Sequence, residues 1–340
     1  MQEKNMLGLP GEIMRCIRRG VAAKALVEAL KLELFTVLQK PRASGELAKA
    51  LGFHPKSLQR FLVLLSLLGL VEQKDGKFVR SAVSARLLSK DSPDYIGAWA
   101  QVMYLYSVEN LTALPEVIKS GPEPEKGMQA DSAEFWAEVF KSSANVVHMG
   151  DGDCVAGVIA SLPGADGFGR MLDLGGGHGL YSVYTARALP GLRVDIFDLP
   201  GLQEQADAHV AEAGLEERLR FFPGDYQTGE LPGGYDVVLA RNTLNFTLES
   251  GGPAQSVLKV FNALNAGGRF VSIHDARLGA PSLSLDWPFE CYACELVAGV
   301  KMAMPDHCVA EAMLRAGFRQ VLTRELDSPG GLYRVDIGIK

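Results

Sequence analysis

The stretch Met171-Leu172-Asp173-Leu174-Gly175-Gly176-Gly177-His178-Gly179 decides how the chain is read. An apolar run of strand length opens into a glycine-rich turn, and the next residues, Tyr181–Leu189, have helical spacing. Glycine lets the backbone turn sharply and removes the Cβ that would keep a ligand from the helix N-terminus. A dinucleotide fingerprint would need glycine at 175, 177 and 180, but position 180 is leucine. The spacing is instead G-x-G-x-G preceded by an acid, Asp173. An anionic side chain beside such a loop disfavours a pyrophosphate and favours a ligand carrying positive charge.

Outward from this loop, strand-length runs recur at Arg170–Leu174, Arg193–Phe197, Leu219–Phe222, Tyr235–Ala240 and Arg269–Ile273. Helical stretches at Tyr181–Leu189, Leu202–Ala213 and Ala254–Asn265 separate them. The alternation predicts an α/β fold, a parallel sheet with helices on both faces, whose ligands bind at the C-terminal strand ends. Asp198 stands at such an end, nineteen residues after Gly179, placed to accept hydrogen bonds from a ribose diol. Asp225, in Phe222-Pro223-Gly224-Asp225-Tyr226, follows the third strand and is placed to accept from an adenine amino group. Three acids after three consecutive strands suit a cationic nucleoside, S-adenosylmethionine, with its sulfonium and ammonium groups.

The first ninety residues read as helices. Apolar positions recur at three- or four-residue steps from Ile13 to Leu38, Ser44–Gly52 is a short helix closed by glycine, and a third helix runs from Lys56 to Leu68. Leu70–Val79 is a hairpin around Asp75-Gly76, which completes a winged-helix pattern. The third helix carries only Lys56 and Arg60 among Phe61, Leu62, Val63, Leu64, Leu65, Leu67 and Leu68, so a partner subunit explains it better than phosphates do. The boundaries fall at residues 1–95 for a dimerisation domain, 96–165 for a helical connector contributing to a substrate pocket, and 166–340 for the nucleoside-binding domain.

Composition narrows the class. Of 340 residues, 47% are hydrophobic and 22% charged, and 34 basic against 40 acidic side chains leave a formal charge of −6. That balance argues against a nucleic-acid-coating role. The longest apolar run, Phe61–Val71, is eleven residues, too short to span a bilayer. The opening MQEKNMLGLPGE has no apolar core before a cleavage site, and five scattered cysteines fit reduced thiols. The expectation is a cytoplasmic protein without metal, membrane or nucleic-acid partners.

Several segments together resemble the plant-type small-molecule O-methyltransferase family, which includes hydroxyindole (acetylserotonin) methyltransferases and bacterial antibiotic-tailoring relatives. They are Leu34-Phe35, Glu46-Leu47-Ala48, Leu67–Val71, Asp173–Gly179, Phe197-Asp198-Leu199-Pro200, Gly224-Asp225, Gly267-Gly268-Arg269 and Ala316-Gly317-Phe318. The resemblance implies a Rossmann-like seven-stranded sheet with its last strand antiparallel, and a homodimer joined through the N-terminal domain. It implies S-adenosylmethionine as donor and S-adenosylhomocysteine as product. Asp173, Gly175, Gly177, Gly179, Asp198 and Leu199 would line the cofactor, with Asp225 and Tyr226 around the adenine and Arg241 where the family usually has a lysine.

One element departs from the family. Its fourth strand leads into Leu-His-Asp-Trp, whose His takes the substrate proton; here the stretch is Arg241-Asn242-Thr243-Leu244-Asn245-Phe246, with Asn245 in the base position. An amide cannot accept a proton at neutral pH. The family's orienting Glu is also missing, with Ala303 at or near its place. The replacement candidates are His274 at the end of the fifth strand and His148 beside Met149, with His307 and the loop's His178 behind them. Cys291-Tyr292-Ala293-Cys294 has no second cysteine pair and reads as lid helix rather than metal site. Met149, Trp287, Tyr292, Cys294 and Met302 are expected to line a pocket for a flat apolar acceptor, methylated at a hydroxyl. The alternatives are methylation of a ring carbon, as the bacteriochlorophyllide methyltransferases that this chain also resembles would imply, a cofactor-binding relative that does not methylate, or a winged-helix regulator.

Overall fold

The computed structural model describes residues 10–123, 140, 143–275, 289–301 and 304–340, so Trp287, Met302 and Ala303 lie outside the described residues. The chain forms two compact units, divided between Leu105 and Tyr106. Residues 106–123 and 143–165 of the expected connector therefore belong with the sheet.

The first unit opens on α1 (Pro10–Lys31), which stops short of the expected Leu38. Glu33 takes a left-handed φ of 53°, and the short α2 (Leu34–Val37) follows, with Leu34, Phe35 and Leu38 fully buried. Then come β1 (Arg42–Ala43), α3 (Ser44–Leu51) and α4 (Pro55–Leu67). His54 caps α4 by accepting from Ser57 N, and Pro55 fits the first turn, where its missing N–H costs nothing. Leu58, Leu62 and Leu65 of α4 are buried beside Leu30, Leu47 and Phe78. The strands β2 (Val71–Lys74) and β3 (Lys77–Arg80) pair antiparallel, in the order β1-β3-β2. Positive φ at both Asp75 and Gly76 makes the turn the type that matches strand twist. The unit closes with α5 (Ala82–Leu87) and α6 (Gly97–Tyr104). Ile17 and Val21 of α1 with Phe61 and Leu64 of α4 line an apolar groove, and Val63 and Leu67 of α4 are exposed.

The second unit begins with α7 (Leu114–Ser120) and α8 (Gly152–Ala160), then alternates. The order is β4 (Arg170–Leu174), α9 (Leu180–Ala188), β5 (Arg193–Asp198), α10 (Gln203–Glu212), β6 (Leu219–Pro223) and β7 (Tyr235–Arg241). It continues with α11 (Ala254–Ala263), β8 (Leu264–His274), α12 (Phe289–Ala298), α13 (Cys308–Ala316), β9 (Gln320–Ser328) and β10 (Gly331–Ile339). Seven strands form one sheet in the order β6-β5-β4-β7-β8-β10-β9, parallel from β6 to β8, with β10 antiparallel to both neighbours. The last strand is thus antiparallel, as the family resemblance implies. Helices cover both faces: α8, α9 and α10 pack on one apolar layer, α11 and α13 on the other. That is why β4 reads as continuously buried rather than alternating.

The boundary between α11 and β8 also differs from the sequence reading. The helix expected to reach Asn265 ends at Ala263, and β8 starts at Leu264. Leu264 pairs with Tyr235, a register shift follows, and Gly267 at φ 77° lets the strand resume at Arg269. In the first unit, Phe35→Ala should cost about 3–5 kcal/mol through the cavity it leaves. A urea titration of the variant checks this as a lowered midpoint at unchanged slope.

Candidate functional site

The glycine loop needs its glycines for shape and for room. Gly175, Gly177 and Gly179 have φ of 69°, 51° and 72°, in the left-handed region that glycine enters freely. A Cβ at Gly175 would lie 2.5 Å from the Thr243 side chain, and one at Gly177 2.5 Å from Phe140. Asp198 holds the loop in place: Oδ2 accepts from Gly177 N at 2.8 Å and Oδ1 from Leu199 N at 2.7 Å. Asp173 is 1% exposed and accepts from Ser182 Oγ at 2.6 Å. Asp225 follows β6, accepting from Gln227 N and Thr228 Oγ1, and Tyr226 Oη donates to Thr243 O.

Among the described residues no cationic side chain pairs with Asp173, Asp198 or Asp225. Burial pushes the Asp173 carboxyl up to about 7, against the opposing Ser182 hydrogen bond and helped by the neighbouring Asp198. Burial likewise lifts Asp198 to about 6, opposed by the two backbone N–H groups and aided by Asp225. Three clustered carboxylates that lack a counter-charge fit a ligand carrying positive charge. His178 is packed away: Nδ1 accepts from Leu180 N, and burial pushes the imidazole down to about 3.

Beyond the loop, the exit of β7 carries the family-like positions. The Arg241 guanidinium is buried, 3.8 Å above the Tyr333 ring centroid. Asn242 takes a left-handed φ of 51° and exchanges two hydrogen bonds with Asp275 at the end of β8. Asn245 lies buried on the short turn Leu244–Thr247, and its neighbour Phe246 packs with Tyr106 and Val300 around the buried Cys294. Tyr292 on α12 is exposed.

The histidines are not gathered there. His274 shares one side of β8 with Phe270, which packs under α13. Its Nδ1 meets Ser272 Oγ at 3.1 Å and its Nε2 lies 3.7 Å from Asp336 Oδ2, so its acidic neighbour is Asp336 rather than Asp275. Burial pushes it down to about 4, more than the Asp336 charge restores. His148 is exposed and bonded to Tyr184 of α9, with Met149 next to it half-buried. His307 meets Arg334 Nη2 through Nδ1 at 2.7 Å just before α13. Sequence reasoning did not find Asp151, Tyr181 and Tyr333, which surround Arg241; they carry no motif, and only the folded sheet brings them together.

Comparison with known proteins bears directly on this arrangement. Residues 14–90 match the O-methyltransferase dimerisation domain and residues 127–282 the O-methyltransferase domain. The chain is a member of the O-methyltransferase family. It is an S-adenosylmethionine-dependent methyltransferase. The methyltransferase is 29% identical over 246 residues to the tetracenomycin polyketide synthesis 8-O-methyl transferase of Streptomyces glaucescens, which spans 70% of each chain. It is 26% identical over 331 residues to the L-tyrosine C(3)-methyltransferase of Streptomyces lavendulae, covering 91% of this chain and 87% of that one. Its fold matches that of human N-acetylserotonin methyltransferase in complex with SAM at a TM-score of 0.76 and 19% identity, covering 100% and 99% of the two chains.

The raised carboxyls give the methyltransferase a pH signature. An unfolded Asp titrates near ~3.9. Between that pH and about 7 the folded, ligand-free chain holds extra protons on Asp173 and Asp198. Their contribution to stability therefore falls as pH rises through this window. Thermal melts of the ligand-free protein from pH 5 to 8 should show that slope. Asp173→Asn should flatten it, and an unchanged slope would contradict the assignment.

Proposed function

We propose that this methyltransferase transfers the methyl group of S-adenosylmethionine to a hydroxyl of a small, flat aromatic or heteroaromatic acceptor, without a histidine base. The observation that carries the reading is the set of three carboxylates around the glycine loop that have no counter-charge among the described residues, beside a neutral Asn245 at the exit of β7. The bound donor supplies an electrophilic methyl on a positively charged sulfur. Asp198 would hold the ribose hydroxyls with the lone pairs that Gly177 and Leu199 leave, and Asp225 and Tyr226 would take the adenine. Asp173 offers its charge toward the amino-acid end of the loop.

On the acceptor side, the apolar cluster of Phe246, Tyr106, Val300 and Cys294 next to Asn245 supports a flat apolar molecule. The amide of Asn245 can orient an acceptor oxygen by hydrogen bonding but takes no proton. His274 is neutral, fully buried and committed to Ser272 and the Asp336 side, so we give it a supporting part under α13. Rate then comes from alignment of donor and acceptor, and the proton leaves to water from an acceptor acidic enough to release it. Of the relatives named above, the 8-O-methyl transferase of polyketide synthesis agrees with a hydroxyl acceptor, and the C(3)-methyltransferase of L-tyrosine agrees with an aromatic one.

The dimerisation domain and the groove between α1 and α4 support a homodimer joined through that face. The pair Val21→Asp and Leu67→Asp should convert a sedimenting dimer to monomer, and an unaltered sedimentation coefficient would remove this face from the interface.

A series of phenols of graded acidity, assayed with the donor, tests the chemistry. Turnover should rise as the acceptor pKa falls, with no inflection belonging to a histidine. Asn245→Ala should lower kcat/KM by up to about 10²-fold through lost alignment. A pH profile with a histidine limb that disappears in His274→Ala would contradict the mechanism. A product methylated on carbon, seen by carbon NMR, would contradict the hydroxyl.

A further inference from the structure

Arg241 puts a positive charge close to a site that should hold a cation. It ends β7, the strand beside β4, and two residues later Thr243 packs on the glycine loop, its Oγ1 donating to Leu174 O at 2.8 Å. Left uncompensated, a buried guanidinium there would oppose a sulfonium, because buried charges are weakly screened.

Asp151 meets this charge. The helix leading into α8 widens into a π-type turn at Val147–Asp151, where Gly150 has φ 118°. Such bulges re-aim side chains at functional sites. The Asp151 carboxylate is only 1% exposed; its Oδ2 accepts from Tyr181 Oη at 2.6 Å and lies 3.4 Å from Arg241 Nη2. Its Oδ1 accepts from Ser328 Oγ, and a Cβ on Gly330 would come within 2.8 Å of that oxygen. Tyr333 and Tyr181 face the guanidinium at 3.8 and 5.6 Å, while its Nε has no acceptor among the described residues. Three elements besides β7 thus converge to hold one carboxylate against one guanidinium.

We propose that Asp151 sets the preference of the site for the charged donor over its neutral product, by cancelling the charge of Arg241 behind the glycine loop. The inference rests on S-adenosylmethionine being the donor. Donor and product share the adenosine and the amino-acid tail; they differ by a methyl group and the charge on sulfur. A residue that only shapes the pocket changes both affinities together, whereas one acting through charge changes their ratio. Asp151 touches Arg241, Tyr181 and Ser328 and is a positioning residue.

Calorimetric titration of S-adenosylmethionine and S-adenosylhomocysteine into the wild type, Asp151→Asn, Arg241→Gln and the double variant tests it. Asp151→Asn should weaken donor binding about tenfold more than product binding, from one unmasked charge roughly 10 Å away at an effective dielectric constant of about 20. Arg241→Gln should shift the ratio the other way, and the double variant should return it close to wild type. Equal losses for both ligands in Asp151→Asn, or an unshifted ratio in Arg241→Gln, would overturn the proposal and leave the donor reading intact. If Asp151→Asn does not fold, the direction of the Arg241→Gln ratio decides alone. A wild type that binds neither ligand overturns the donor reading and this proposal with it.

Discussion

Asp198 accepts the Gly177 N–H through one carboxylate oxygen and the Leu199 N–H through the other, tying the end of β5 to the loop that leaves β4. Much of the site's geometry follows from that tie. It holds Gly177 in its left-handed conformation and seats the loop against Thr243, whose own hydroxyl is bonded back to Leu174 at the end of β4. The ends of three neighbouring strands, β5, β4 and β7, are locked together before any ligand arrives. A loop fixed in this way loses little further entropy on binding, which is the advantage of preorganisation.

The arrangement has a cost in the free protein. Asp173 and Asp198 are buried close together with hydrogen bonds but, among the described residues, without cations, and both are pushed toward their protonated forms. Stability is surrendered at the place where we propose that the donor binds, as is common for functional sites. Elsewhere the same chain pairs its buried charges. Asp195, within the same strand β5, is met by Arg170, Arg220 and Tyr235, and those hydrogen bonds outweigh burial to hold it below the usual carboxylate range. The contrast between two aspartates three residues apart on one strand separates a carboxylate met by cations from one that we propose awaits a ligand.

Much of the architecture was legible in the sequence because periodicity and glycine placement are local signals. The five parallel strands, the hairpin at Asp75-Gly76 and the three acids at strand ends could all be read from spacing. The start of β8 could not, because Asn265-Ala266-Gly267-Gly268 has the composition of a turn and becomes strand only by pairing with β7 across a register shift. The histidines resisted for a similar reason. Whether His274 faces a pocket or a helix depends on its partner strand, and the cross-strand pair of His274 with Arg334 appears only when β10 inserts between β8 and β9. Asp151 gave no signal, since its role depends on a π-type turn and on four elements distant in sequence.

The central claim is that the carboxylates around the glycine loop await a cation. Calorimetry of S-adenosylmethionine binding near pH 6.5, in two buffers of different ionisation enthalpy, tests it most directly. The bound positive charge should drive Asp173 and Asp198 into their ionised forms, so the measured enthalpies should differ between buffers by a net release of protons. Binding with no proton release, or no binding heat in either buffer, would contradict it.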